Sequence, residues 1–204
     1  MGAFDRFFDI GSKPGPQQVS DRIWTAANLL SLARIVILPL IYVDLVGGRE
    51  LRALIVLVVF ASTDWLDGYV ARRFDQVTRL GQLLDPISDR ALFVVVGIGF
   101  VVAGIVPLWA VLVLFVRDAL VMAGGGYLLL RGGRPPAVTR VGKLATFGLM
   151  IALPLFLVAV VLGESPAAPH PVIHAIAWLV FAVHAVLYWV SAAGYLRTIL
   201  QARR

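Results

Sequence analysis

Long apolar stretches restrict the fold of this 204-residue chain more than any other feature of its sequence. A helix needs about 20 mainly apolar residues to cross the hydrocarbon core of a membrane. Six segments reach roughly that length, at residues 26–46, 52–71, 84–103, 106–129, 143–162 and 173–196. No strand-like alternation of apolar and polar residues competes with them. The sequence therefore predicts an all-α integral membrane bundle of six transmembrane helices.

The composition supports a membrane protein and excludes several kinds of site. Hydrophobic residues make up 60% of the chain and charged residues 15%, whereas a soluble domain is nearer half apolar and about a quarter charged. A soluble enzyme is therefore not expected. Because the chain has no cysteine, disulfides, thiolate catalysis, iron–sulfur clusters and cysteine-based zinc sites are excluded.

The beginning of the chain differs from the rest. We expect residues 1–25 to form a short cytoplasmic juxtamembrane segment and residues 26–204 to form the six-helix domain. The segment does not resemble a signal peptide, because Asp5, Arg6 and Asp9 interrupt it and no cleavable apolar core follows. Its phenylalanines suit a short interfacial helix, and a disordered tail fits the sequence equally well.

The net charge of +6 could indicate nucleic acid in a soluble protein. In a membrane protein, basic residues instead flank the spans on the cytoplasmic side and meet anionic headgroups. We therefore expect membrane lipids, and no nucleic acid, as partners. The basic residues of one side are Arg72, Arg73, Arg79, Arg131, Arg134, Arg140, Lys143, Arg197, Arg203 and Arg204. The opposite side carries Arg49 and Arg52, so both termini are predicted to be cytoplasmic.

Four of the 12 acidic residues lie where two predicted spans meet the cytoplasmic face. Asp64 and Asp67 end the second span, and Asp85 and Asp89 begin the third. Each pair shares a helix face because its members are three or four residues apart, and a short loop makes the two helices neighbours. Four converging carboxylates stay ionised only with cations between them. Their all-oxygen donor set favours Mg²⁺ or Mn²⁺.

The residues around these carboxylates are suited to an anionic ligand. Gly68 and Ala71 lie on the face of Asp64 and leave room for a bulky group, and Arg72 can meet a phosphate. Pro86 suits the first turn of the third span, where a helix N-terminus would add positive potential. The alternative is a solvated face at headgroup depth, held together by Asp–Arg ion pairs.

The stretch Asp64-x2-Asp67-Gly68-x2-Ala71-Arg72-x8-Gly81-x3-Asp85-x3-Asp89 resembles the complete signature of the CDP-alcohol phosphotransferases, also called CDP-alcohol phosphatidyltransferases. The resemblance implies a membrane enzyme that binds a CDP-linked lipid donor with its pyrophosphate on two Mg²⁺ or Mn²⁺ ions. An acceptor hydroxyl attacks the β-phosphorus, and CMP leaves. The resemblance also implies a homodimer in the cytoplasmic membrane of a prokaryote, with its active site at the cytoplasmic face.

The same resemblance gives individual residues a role. Asp64, Asp67 and Asp85 would be metal ligands. Asp89 would be the general base and could also touch a metal. The nucleotide and pyrophosphate pocket would be lined by Asp67, Gly68, Ala71, Arg72 and Gly81.

Flanking motifs are similar to the branch of the family that makes phosphatidylglycerophosphate and cardiolipin. They are Thr63-Asp64-Trp65-Leu66-Asp67-Gly68, Gln76-x-Thr78-Arg79-x-Gly81 and Asn28-Leu29-Leu30-Ser31-x2-Arg34. Arg117-Asp118 resembles cardiolipin synthases that use CDP-diacylglycerol, and Ala145 stands where phosphatidylglycerophosphate synthases tend to carry a second lysine. The resemblance therefore favours phosphatidylglycerol as acceptor, with glycerol 3-phosphate as the alternative.

Three basic residues are candidates for acceptor binding: Arg117 in the fourth span, and Arg140 and Lys143 at the start of the fifth. Each has a structural alternative, because Arg117 could form an internal ion pair and the other two could be ordinary membrane-flanking cations. Arg34 in the first span could face a polar cavity or pack against neighbours.

A different class of function is a transporter or ion carrier that uses intramembrane carboxylates. Its sites usually lie near the bilayer midplane, at broken helices related by repeats. Here the aspartates cluster at one end of the spans and no repeat is visible, which favours the enzyme.

Overall fold

The computed structural model describes residues 25–73, 78–132 and 139–201. In these ranges it contains six helices, and an isolated β-bridge joins Ser165 and Ala168. The predicted juxtamembrane segment up to residue 24, and the basic residues Arg134, Arg203 and Arg204, lie outside the described residues. The prediction of an all-α fold is confirmed for the described ranges.

Each of the six predicted apolar segments corresponds to one helix. The helices are α1 (Ala26–Val46), α2 (Glu50–Arg73), α3 (Arg79–Val102), α4 (Leu108–Leu130), α5 (Arg140–Val161) and α6 (Pro171–Gln201). Within the described residues, three stretches are long and apolar enough to cross a membrane, namely α4, α5 and residues Pro171–Tyr195 of α6. A shorter apolar stretch covers Arg90–Val102 of α3. That α1, α2 and α3 also cross the membrane stays a prediction.

The chain forms two compact units, Met1–Gly99 and Phe100–Arg204. In the first unit, α1 and α2 pack as a hairpin around Leu38, Ile41, Leu57 and Phe60, all of them buried. Three residues connect the two helices, and Gly48 has a φ of 64° there, which is the left-handed conformation that glycine adopts most easily.

A buried carboxylate stabilises this connection. The Asp44 side chain is fully buried, Arg52 Nε donates a 2.8 Å hydrogen bond to its Oδ2, and Arg49 lies 3.8 Å from its Oδ1. A buried charge is costly unless it is paired, so these arginines act first as partners of Asp44. Arg49 and Arg52, the basic residues of the side predicted to face away from the cytoplasm, therefore have a structural reason to be there.

The second unit is held together by close packing of α5 on α6. Small residues on α5 allow it: Gly142, Ala145, Gly148 and Ala152 are all buried. Gly148 is the tightest position, because the His184 ring of α6 occupies the space where a side chain would begin. Small residues at helix interfaces let membrane helices approach closely, and van der Waals packing then stabilises the pair.

The outer surface of α6 is apolar. Val172, Leu179 and Val186 follow one another at intervals of seven residues, with exposed fractions of 60%, 65% and 62%. Soluble proteins rarely leave such a continuous apolar surface in contact with water. Lipid is the solvent that fits this surface, and the protein is a membrane protein.

Replacing Gly148 by alanine is expected to destabilise the second unit. The new Cβ atom would lie 1.9 Å from His184 Cδ2, and the ring is restrained because its Nδ1 donates a 2.8 Å hydrogen bond to the Val180 carbonyl. Overpacking of this kind costs about 1–3 kcal/mol, which thermal unfolding in detergent will measure as a lower Tm. Gly126→Ala is the matched control, since a Cβ there meets nothing within 4 Å. Equal Tm values for the two variants would contradict this packing.

Candidate active site

The four signature aspartates lie on two consecutive helices. Asp64 and Asp67 lie in the second half of α2, and Asp85 and Asp89 lie in the first half of α3. Both helices are continuous through these positions, so the members of each pair are about one turn apart along the backbone. Residues 74–78 connect the helices. The four side chains lie outside the described part of the structure.

The predicted pocket residues follow the same two helices. Gly68, Ala71 and Arg72 occupy the last two turns of α2, and Gly81 lies in the first turn of α3. The side chains of Ala71 and Arg72 also lie outside the described part. The signature is therefore carried by the end of one helix and the beginning of the next, as the sequence predicts.

The start of α3 differs from the prediction. Hydropathy placed it near residue 84, with Pro86 in the first turn, whereas the helix begins at Arg79. Asp85 is therefore almost two turns inside the helix, and Pro86 is an interior residue. The positive end of the helix dipole acts mainly within the first turn, so it lies nearer Gly81 than Asp85. The predicted contribution of a helix N-terminus at Pro86 is wrong.

A buried hydrogen bond joins the connection before α3 to the beginning of α1. Thr78 Oγ1 donates to Asn28 Oδ1 over 2.7 Å, and the two residues are 2% and 4% exposed. The backbone N–H of Asn28 in turn donates to Thr25 Oγ1, which caps α1. Asn28 and Thr78 were noticed in the sequence as parts of two branch motifs, but nothing there indicated that they touch.

Arg34 lies in the interior of the first unit. It is 1% exposed, and its guanidinium carbon is 5.7 Å from the centroid of the Phe60 ring. Such a distance is within the range of a cation–π interaction. Of the two alternatives for Arg34, a polar cavity or packing against neighbours, the structure shows packing against Phe60.

Arg117 belongs to a polar cluster in the second unit. Its Nη1 donates a 3.0 Å hydrogen bond to Asp118 Oδ1, and the Tyr188 hydroxyl donates to the same oxygen over 2.5 Å. The guanidinium carbon also lies 3.7 Å from the centroid of the Tyr188 ring. The internal ion pair that the sequence left open is therefore formed, and it joins α4 to α6. Tyr188 is a member of this cluster that sequence analysis missed.

Arg140 and Lys143 lie together in the first turn of α5, and both are exposed. The helix is capped by Thr139, whose Oγ1 accepts from the Gly142 N–H at 3.1 Å and lies 3.1 Å from Ser191 Oγ of α6. Two cations beside the positive end of a helix make this turn favourable for an anion. Ala145, one half-turn further on, is fully buried.

The acidic donor set fits a divalent metal. Carboxylate oxygens are the ligands that Mg²⁺ and Mn²⁺ prefer, and the four carboxylates occur in pairs on consecutive helices. Among the residues whose side chains are described, no group of three or more His, Cys, Asp or Glu side chains could hold a metal ion. Asp64, Asp67, Asp85 and Asp89 therefore remain the candidate ligands.

Comparison with known proteins gives a family match over most of the chain. A family model described as CDP-alcohol phosphatidyltransferase matches residues 24–194. This range includes all six helices except the last turns of α6. It contains the whole aspartate signature and all three basic residues considered for the acceptor.

Individual relatives cover much of the chain as well. "Putative cardiolipin synthase" of Mycobacterium tuberculosis (strain ATCC 25618 / H37Rv) is 39% identical over 176 residues, which is 85% of this chain and 82% of the relative. "Cardiolipin synthase (CMP-forming)" of Streptomyces coelicolor is 40% identical over 146 residues, covering 69% and 68%. "CDP-diacylglycerol--glycerol-3-phosphate 3-phosphatidyltransferase" of Bacillus subtilis is 32% identical over 142 residues, covering 62% and 72%.

Proposed function

The chain belongs to the CDP-alcohol phosphatidyltransferase family, and from this membership we propose that it makes cardiolipin from CDP-diacylglycerol and phosphatidylglycerol, with release of CMP. It is a phosphatidyltransferase of phospholipid synthesis. The observation that carries the proposal is the complete aspartate signature on α2 and α3, in a chain that is 39% identical over 176 residues to a relative named for cardiolipin synthesis.

The signature is proposed to bind the donor. Asp64, Asp67 and Asp85 would hold the two Mg²⁺ or Mn²⁺ ions, and Asp89 could also be a ligand. When bound, the cations neutralise the charge of the donor pyrophosphate. The groups that line the nucleotide pocket are Gly68, Ala71, Arg72 and Gly81, with Asp67 shared between the nucleotide and the metal.

Asp89 acts as the general base in this proposal. It accepts the proton of the acceptor hydroxyl as the hydroxyl oxygen forms a bond to the β-phosphorus. The bond between that phosphorus and the bridging oxygen breaks, and CMP leaves with the electron pair. A positioned base contributes about 10²–10⁴ to the rate of such a step.

Arg117, Arg140 and Lys143 are proposed to bind the acceptor. The charge of Arg117 is already compensated in part, because its guanidinium is hydrogen-bonded to Asp118. Ala145 adds no cation, since its side chain is a buried methyl group. A phosphodiester carries one negative charge and a phosphomonoester nearly two at neutral pH. This moderate set of cations suits the phosphodiester of phosphatidylglycerol better.

The enzyme is proposed to lie in the cytoplasmic membrane of a prokaryote, as a homodimer, with its active site at the cytoplasmic face. Six crossings would place both termini on one face of the membrane, and the distribution of basic residues makes this the cytoplasmic face. The pairing of Arg49 and Arg52 with buried Asp44 supports this orientation, since these arginines have a role other than marking the cytoplasmic side. The juxtamembrane segment, residues 1–25, would then lie on the cytoplasmic side too.

A second candidate acceptor is glycerol 3-phosphate, which would give phosphatidylglycerophosphate. The relative named for that reaction in Bacillus subtilis favours it, at 32% identity over 142 residues. The identity to the two relatives named for cardiolipin synthesis is higher, at 39% and 40%. The transporter alternative has no support from the family match.

The acceptor can be identified by supplying each candidate separately. We expect the purified protein, given CDP-diacylglycerol and Mn²⁺, to make cardiolipin from phosphatidylglycerol and to form little lipid product from glycerol 3-phosphate. Thin-layer chromatography or mass spectrometry resolves the products. The same preparation of Asp85→Ala protein controls for lipid enzymes of the expression host. Efficient formation of phosphatidylglycerophosphate without cardiolipin would reverse the choice of acceptor and leave the donor chemistry unchanged.

A further inference from the structure

The hydrogen bond between Thr78 and Asn28 connects the start of α3, one of the two helices that carry the signature, to α1, which carries none of it. It joins residues 50 positions apart and is shielded from water. A buried hydrogen bond is electrostatically stronger than an exposed one, because the local dielectric constant inside a protein is lower than that of water. If the Thr78–Asn28 bond were broken, the buried side-chain oxygen of Asn28, Oδ1, would lose a hydrogen-bond donor.

The position of Thr78 in the chain relates this hydrogen bond to two of the acidic residues. Thr78 immediately precedes α3, and Asp85 and Asp89 follow it at intervals of seven and eleven residues. In a helix these intervals correspond to about 10 and 16 Å along the axis. They also return to nearly the same face, since seven residues make about two turns and eleven about three. A shift at Thr78 would therefore move the start of the helix that carries both carboxylates.

The far end of α3 also contacts α1. Gly99 packs so closely on Leu45 that an added Cβ would lie 2.6 Å from Leu45 Cδ1. The two contacts join the beginning of α3 to the beginning of α1 and the end of α3 to the end of α1. Asp85 and Asp89 lie between them. Because α1 also packs on α2, one helix contacts both carriers of the signature.

We propose that the Asn28–Thr78 hydrogen bond is a positioning device that fixes the start of α3 against α1. It would thereby set the affinity of the four signature aspartates, Asp64, Asp67, Asp85 and Asp89, for their divalent cation. The inference rests on the proposed function in one respect, which is that these four aspartates bind the cation. In this proposal Asn28 and Thr78 are positioning residues, which act on the cation site through the start of α3. The bond acts by holding the start of α3 in one place.

The test measures cation binding directly, with Mn²⁺ alone as the probe. Electron paramagnetic resonance of Mn²⁺ titrated into detergent-solubilised protein gives the affinity. We expect Thr78→Val, which keeps the shape but removes the hydroxyl, to weaken Mn²⁺ binding about tenfold or more, the usual cost of losing a residue that orients metal ligands. Thr78→Ser keeps the hydroxyl and is expected to bind Mn²⁺ as the wild type does. Thr146→Val is the matched control, because its hydroxyl bonds within its own helix, to the Gly142 carbonyl.

The outcomes separate this inference from the proposed function. Equal Mn²⁺ affinity in the wild type and in Thr78→Val would overturn the inference. Weak Mn²⁺ binding by Thr78→Ser would overturn it as well, and this second comparison can be made even if the valine variant does not fold. Neither result would bear on the proposed reaction, which is tested separately by CMP release from the wild type. Mn²⁺ binding without CMP release by the wild type would reject the proposed reaction, while the comparison of affinities would still test the hydrogen bond.

Discussion

Alanine at Asp64, Asp67 or Asp85 is expected to reduce CMP release to the background rate. In the proposed site each substitution would remove a ligand from a cation that stabilises the charge developing on the transferred group, a contribution worth several kcal/mol. Since about 1.4 kcal/mol corresponds to a factor of ten in rate, we expect losses of at least about a thousandfold. The measurement is steady-state CMP release from CDP-diacylglycerol in the presence of phosphatidylglycerol and saturating Mn²⁺.

Two controls show whether the loss is specific. Each variant should retain a cooperative thermal transition, because removing one of four repelling carboxylates does not cost packing. Glu164→Ala removes an exposed carboxylate in the connection between α5 and α6 and is expected to keep wild-type activity. Turnover within a factor of ten of the wild type in any of the three aspartate variants would remove that residue from the metal site.

Asp89→Asn is expected to retain donor binding better than those three variants and yet lose transfer. Asparagine keeps the shape of the side chain but cannot take the proton of the incoming hydroxyl. The expected decrease in kcat is about 10²–10⁴, the usual contribution of a general base. Binding of CDP-diacylglycerol, measured by its protection against thermal unfolding, is expected to change little.

The contrast between donor binding and turnover decides the role of Asp89. A loss of less than about tenfold in kcat with metal saturating would contradict the base assignment, because removal of the proton acceptor should expose at least that part of the barrier. If Asp89→Asn lost both kcat and the protection that CDP-diacylglycerol gives against thermal unfolding, Asp89 would instead be chiefly a metal ligand. Asp85→Asn supplies the comparison, since this variant is expected to lower both kcat and the binding of CDP-diacylglycerol.

The positions of the helices could largely be predicted from hydropathy. The first predicted segment, 26–46, coincides with α1, Ala26–Val46. The third was predicted to start near 84 but starts at Arg79. Hydropathy detects where a helix enters apolar surroundings, whereas the turn that contains Arg79 and Gln82 is too polar to be counted with the apolar segment, although it belongs to the same helix. The crossing of the membrane is supported by length and composition for α4, α5 and part of α6.

The candidate site could be predicted where it depends on spacing along one helix. The intervals between Asp64 and Asp67, and between Asp85 and Asp89, are helical in the structure as expected. Contacts between distant parts of the chain could not be predicted. Thr78 meets Asn28 across 50 positions, and the Tyr188 hydroxyl meets Asp118 across 70. Tertiary packing determines such pairs, and a single sequence contains no periodic pattern that reports them.

The central claim is metal-dependent phosphatidyl transfer by the aspartate signature, and one measurement tests it most directly. Purified protein in detergent with CDP-diacylglycerol and phosphatidylglycerol is assayed for CMP and cardiolipin before chelation, in excess chelator, and after Mn²⁺ is restored. We predict equal amounts of CMP and cardiolipin with the metal, neither product in the chelator, and recovery of both on adding Mn²⁺ back. Undiminished release of CMP in excess chelator would contradict the account.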